Sequence, residues 1–165
     1  MLRNLVLSFA AWGLVVAACP TYAQNKSANE AFTFVASRLT AIERKDRIWK
    51  PSDLVSVDGR WEWDEMDAVL DKNGIKTSAV FEKYVVKVED LAVPVTQVND
   101  KIVFECRSTK CMHVYVQQTD FSSSSHKDEW RASNNWFFKT SEDAARVALA
   151  MNDALSAMGA TKKRY

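Results

Sequence analysis

The chain has 165 residues, with 22 lysines and arginines against 21 acids and a hydrophobic share of 47%. A balance so near neutral argues against a nucleic-acid partner, which wants a basic excess, and against a polybasic membrane-binding surface. The length suits one domain with a real hydrophobic core, so any disulfide supplements that core.

Residues 1–23 read as a secretory signal peptide. Arg3 supplies the only charge, and Leu5 to Ala18 is an apolar run too short to span a bilayer comfortably. Small residues then stand at −3 and −1 of a cut after Ala23. An alternative reading starts from Val16-Ala17-Ala18-Cys19, which resembles a lipobox and would anchor the product through an acylated Cys19. Pro20 favours the cut after Ala23, since it ends the apolar helix just before it. Removing 1–23 removes Arg3 and no acid, which leaves 21 basic against 21 acidic residues in 24–165. The expected product is exported, periplasmic or secreted, without a transmembrane segment. With Cys19 gone or acylated, Cys106 and Cys111 remain as a disulfide pair in an oxidising compartment.

Within the expected single domain 24–165, Ser27-Ala28-Asn29-Glu30 has the pattern of a capping box. Phe32, Val35, Leu39 and Ile42 follow at helical spacing, so the pattern predicts a helix over 29–45, closed by Pro51. Asp58-Gly59 is a turn. Trp61 and Trp63 then share one face of a predicted strand, while 65–71 fits either helix or strand. Val80 to Leu91 alternates dry and wet residues, as in an antiparallel sheet. Pro94 is expected at a strand end or edge.

Lys101 to Gln118 reads as a hairpin stapled at its tip by Cys106 and Cys111, with Phe104 opposite His113 and Ile102 opposite Tyr115. The polar stretch 120–135, with its serine run 122–125, reads as a surface loop. Trp136 to Lys139 is a short strand with Trp136 in the core. It feeds a helix capped by Thr140 with Asp143 at N3, buried through Ala144, Ala148, Met151, Leu155 and Met158, and ended by Gly159.

Candidate chemistry is sparse. Cys106, Cys111 and His113 lack a fourth ligand for zinc, so neither metal nor cofactor is expected. His113 and His126 are the two imidazoles, and neither stands near a nucleophile-elbow motif. Glu62, Asp64, Glu65, Asp67 and Asp71 form an acidic stretch that could do acid–base work. Its Asp71-Lys72-Asn73-Gly74 segment fails as a calcium loop, because Val69 and Val80 occupy the ligand positions. Trp61, Trp63 and Trp130 are the candidate ligand-binding aromatics. No catalytic residue is assigned. The expected role is a non-catalytic binding or scaffolding domain for an envelope protein or glycan. A small hydrolase using carboxylates or a histidine is the alternative, and a lipoprotein held through Cys19 is another.

The order of elements over Asp58 to Gly159 resembles the layout of pleckstrin-homology-like domains: antiparallel strands, one ending in Val88-Glu89-Asp90-Leu91, then the Cys-stapled hairpin, then the short aromatic strand Trp136 to Lys139 leading into the capped helix from Ser141 to Met158. The resemblance implies an α+β fold with an antiparallel barrel or strongly bent sheet, plugged by the C-terminal helix and supplemented by the N-terminal one. Phosphoinositide-binding members use a basic loop between the first strands. This chain is acidic there, so headgroup binding does not carry over.

Overall fold

A computed structural model describes residues 21–120 and 123–162, with the backbone alone for 21–27. Residues 1–20, and with them most of the expected signal peptide and Cys19, lie outside the described residues. The fold is α+β and mostly antiparallel. Helix α1 spans Thr21–Arg38, followed by strands β1 (Ile42–Arg44), β2 (Arg47–Val57), β3 (Arg60–Leu70) and β4 (Lys76–Lys87). After a 3-10 turn come β5 (Ala92–Val93), β6 (Thr96–Val98), β7 (Lys101–Glu105) and β8 (Met112–Asp120). Strands β9 (Ser124–Arg131) and β10 (Ser133–Phe137), helix α2 (Ser141–Ala157) and β11 (Thr161–Lys162) complete the described chain.

The strands form a six-stranded sheet in the order β1-β2-β3-β4-β8-β9, a three-stranded sheet β10-β7-β6, and a parallel pair β11-β5. No closed barrel forms among the described residues. One face of the large sheet, called inner here, buries Trp49, Trp61, Trp63, Tyr84, Val86, Met112 and Val114 in a common core with both helices. Helix α1 packs along α2, and Phe32 meets Trp61 with ring centroids 5.4 Å apart. Among the described residues no helix covers the opposite, outer face.

Helix α2 follows its sequence pattern closely. Thr140 Oγ1 accepts the Asp143 N–H at 3.0 Å, and two acids sit in the first turn. Ala144, Val147, Ala148, Met151, Ala154 and Leu155 are buried. Gly159 takes φ +97°, the left-handed geometry that lets a chain leave a helix. Helix α1 departs from expectation. It already runs through Ser27–Glu30, so those residues do not cap it, and it stops at Arg38 rather than Lys45. Ile42 is buried as predicted, but from β1, opposite Trp49. Pro51 lies within β2, beyond the last β1 pair, on an edge where no β1 residue needs its missing N–H.

The ambiguous 65–71 segment continues β3, in register with β4 from Arg60↔Lys87 to Ala68↔Ala79. Asp58 (φ +49°) and Gly59 (φ +74°) make the two-residue turn that sets the β2–β3 register.

The stapled hairpin is corrected. Strand β7 pairs with β6 and β10, while β8 pairs with β4 and β9; the two never pair with each other. Strands β9 and β10 are nearly continuous, broken only at Ala132, and they serve both. Met112 pairs with Arg131, the Cys106 N–H donates to Ala132 O at 2.7 Å, and Glu105 pairs with Ser133. Residues 101–120 therefore form one interrupted strand that changes sheet at an excursion closed by Cys106–Cys111, whose Cα atoms are 5.6 Å apart. A Cys pair at that distance fits a hairpin tip and a pinched excursion equally well. The real hairpin is 101–120 against 124–137, so the polar stretch 120–135 is mostly strand and not loop.

Candidate functional site

Alternation along β3 splits the acidic stretch between two environments. Glu65 and Asp67 point to the inner face with Trp61 and Trp63, while Glu62 and Asp64 point outward. Glu65 is the one buried charged residue among those described, at 7% exposure. Its Oε1 accepts from Trp63 Nε1 (2.7 Å), Asn134 Nδ2 (2.7 Å) and Trp136 Nε1 (3.1 Å), and its Oε2 accepts from Trp49 Nε1 (3.0 Å). Burial pushes this carboxyl above the usual glutamate range, and the donors pull it back only in part. Three indoles from three strands converge on one carboxylate. This is a structural hub.

Next to it, Glu82 stands directly across from Glu65 on β4. Its carboxylate accepts from Tyr84 Oη at 2.6 Å and from both Nη atoms of Arg131. Arg131 also reaches Glu129 Oε1 through Nε at 2.6 Å. The Tyr84 ring stacks on Trp63, centroids 4.7 Å apart and 3° from parallel. Burial, then the neighbouring carboxylates, hold the Tyr84 hydroxyl far above the tyrosine range. Two further acids of the stretch have partners: Asp67 meets Arg47 at 2.9 Å, and Asp71 accepts the Asn73 and Ile75 N–H groups at 2.8 Å in a turn.

The candidate aromatics separate by the same alternation. Trp61 and Trp63 are 0% and 1% exposed and belong to the core, which corrects their assignment as ligand-binding residues. Trp130 is 54% exposed, on the outer face of β9. It stacks on His113 with centroids 4.8 Å apart, and His113 meets Tyr115 edge-on at 4.3 Å. The outer face also exposes Phe81 at 41% and Tyr115 at 45%. An open groove of about 550 Å³ runs across this face, floored in part by Met66, Phe81 and Tyr115 and edged by Lys50, Asp64, Lys83 and Asp128.

Register places the three exposed aromatics on a line. Tyr115 on β8 lies opposite Lys83, two residues beyond Phe81; Trp130 on β9 lies opposite His113, two residues beyond Tyr115. Each step crosses one strand and advances one pair, roughly 8 Å on standard sheet spacings. Sequence reading found only Trp130. Phe81 and Tyr115 carried a signal as aromatics among charged residues on the wet side of alternating strands, but only the register aligns them.

Both histidines lie on this face. His113 Nε2 is 3.9 Å from Asp128, and His126 lines the groove. Glu62 and Asp64 are about 7 Å apart by strand rise, with the Lys83 ammonium 3.5 Å from Glu62. Burial raises the Asp64 pKa, with Lys83 opposing the shift. Asp64 and Asp128 share a row but stand three strands apart, about 14 Å, too far to act as a carboxylate pair on one bond. Among the described residues no three His, Cys, Asp or Glu side chains come together as a metal site, and no helix is long and apolar enough to cross a membrane. Comparison with family models, curated proteins and solved structures finds no match.

Proposed function

We propose that this is an exported, non-catalytic binding domain of the cell envelope, and that the outer face of the six-stranded sheet is its ligand surface. The carrying observation is the exposure of Phe81 and Tyr115 in one groove, with Trp130 exposed on the same face, on a sheet face that no element of the described chain covers. Aromatic side chains left in water in a groove edged by charged and polar groups are the usual makings of a recognition site. The Cys106–Cys111 disulfide is compatible with export. The resemblance in element order to pleckstrin-homology-like domains supports a scaffold role, and the acids of β3 support it too, since Glu65 and Asp67 are spent on inner-face contacts.

The test is calorimetric titration of the mature protein with a panel of envelope peptides and oligosaccharides, with chromatography of the same samples for products. Saturable binding without turnover, weakened in Tyr115→Ala, is the expected result. Product formation that collapses in Asp64→Asn or His126→Ala, with folding intact, would establish the hydrolase reading in its place.

A further inference from the structure

Strand β9 leaves one long side of the large sheet open. It pairs with β8 alone, in unbroken register, and stands last in the sheet order. Ser124 to Arg131 are exposed, apart from the half-buried Glu129 and Arg131. A row of unpaired backbone N–H and C=O groups along a strand of this length is a template for another strand. The edges on the far sides are blunted. Strands β1 and β6 have three residues each. Beyond β1, the free side of β2 holds Pro51, which has no N–H, and then Asp53 at φ +56°, where the register with β3 shifts. Short strands, prolines and bulges protect an edge, and β9 has none of them. It is guarded by charge alone, so the signs of its charges decide which strand can add.

The charges are Lys127, Asp128, Glu129 and Arg131. Opposite residues of an antiparallel pair share a face, so a second copy of β9 that keeps both faces aligned adds around a two-fold axis through a residue position. An axis at His126 matches no charge. An axis at Lys127 sets Lys127 against itself. One at Glu129 sets Glu129 against itself and Lys127 against Arg131. An axis at Trp130 carries the pairing past Ala132, where the edge leaves one sheet for the other. An axis at Asp128, in the middle of the strand, sets Lys127 opposite Glu129 of the second copy twice and His126 opposite Trp130 twice. Its one like-charge contact is Asp128 on its own copy. Two opposite-charge pairs and two aromatic pairs outweigh that contact. Within one copy Lys127 already meets Glu129, so docking joins two existing ion pairs into one group of four charges.

We propose that two copies of this chain associate through β9, antiparallel about a two-fold axis at Asp128, so that their six-stranded sheets become one continuous sheet. The same surface serves both copies. Main-chain hydrogen bonds supply the adhesion, and the Lys127–Glu129 pairs set the register. Both outer faces then lie on one side of the joined sheet.

The experiment is sedimentation of the mature protein over a concentration series, with cysteine cross-linking to read the register. Expected is a reversible monomer–dimer equilibrium. Lys127→Glu and Glu129→Lys each turn two attractive pairs repulsive and should weaken the dimer at least roughly tenfold. An equal mixture of the two variants should recover a dimer of one chain of each, because every facing pair is then of opposite sign. Asp128→Asn should tighten the dimer about threefold. Asp128→Cys, oxidised with copper–phenanthroline, should give a disulfide-linked dimer, since opposite Cα atoms lie about 4.5–5.5 Å apart. Trp130→Cys, about 14 Å from its counterpart, should not. Circular dichroism of each variant checks its fold, and if a charge variant unfolds, Asp128→Asn and the two cysteine variants decide. A monomer at every concentration overturns the inference. So does unchanged association in both charge variants, a mixture that stays monomeric, or cross-linking at position 130 without cross-linking at 128.

Discussion

Trp63 and Glu65 stand two residues apart on β3, and the indole N–H of the first donates to the carboxylate of the second at 2.7 Å. Trp136, 71 residues away in sequence, closes on the same oxygen at 3.1 Å, and Trp49 takes the other. The contact ties β2, β3 and β10 to a single acceptor and so joins two sheets through one side chain. Glu65→Gln should therefore be destabilising despite its matched shape. Its amide NH₂ would face the Trp49 N–H, two donors in contact, at a cost of about 1–3 kcal/mol. Glu65→Leu leaves all four donors without an acceptor and should cost more. Urea unfolding of the three proteins gives both numbers.

The same residue predicts a pH dependence. Burial, the largest cause, holds the Glu65 carboxyl above its ordinary value of 4.5. A raised native pKa means that the folded state binds the proton more tightly than the unfolded one. The stability this group contributes is then fully present below about 4.5 and declines as pH climbs through the raised native value. Wild type should hold its widest margin over Glu65→Gln near pH 4 and a narrower one by pH 8. A margin that widened with pH would mean that the four donors outweigh burial.

Arg131 should behave as a fork and not as a charge. Its guanidinium serves Glu82, Glu129 and Tyr84 together at the end of β9. Arg131→Met should lower stability by about 2 kcal/mol, less than a fully buried pair would lose, because solvent still reaches the site. Arg131→Lys should recover little of it, since one ammonium cannot span two carboxylates and a phenol. Thermal melts of the three proteins distinguish the two cases.

The disulfide closes a short excursion in a strand, so its contribution comes from the unfolded chain. Replacing both cysteines with alanine should cost about 2 kcal/mol by loop-closure entropy while β7 and β8 stay paired with β9 and β10. Thiol labelling of the native, non-reduced protein should find neither Cys106 nor Cys111 free.

How much of this was legible in the sequence depends on how local each signal is. Helix α2 was readable nearly to the residue, because Thr140, Asp143 and Gly159 act within one turn of its ends. Strand β4 was readable because one of its faces is dry. Strand β9 was not: it is an edge strand with water on most sides, so Ser124 to Arg131 shows no apolar alternation and passes for a loop. The sheet switch at Cys106–Cys111 was hidden because local pairing is the natural assumption for two strand-like runs five residues apart. The Glu65 hub and the aromatic line share a deeper reason. Both depend on cross-strand register, and neither Trp136 nor Tyr115 announces its partner across the sheet.

The central claim is that the outer face of the large sheet, and not the acidic stretch or the disulfide excursion, receives the ligand. Amide chemical-shift mapping of the isotopically labelled protein during the titration tests it most directly. The account predicts shifts concentrated on β4, β8 and β9 around Phe81, Tyr115 and Trp130, including the Trp130 indole N–H, with the Trp49, Trp63 and Trp136 indoles unmoved. Shifts centred on α2 or on residues 107–110, with the outer face silent, would contradict it.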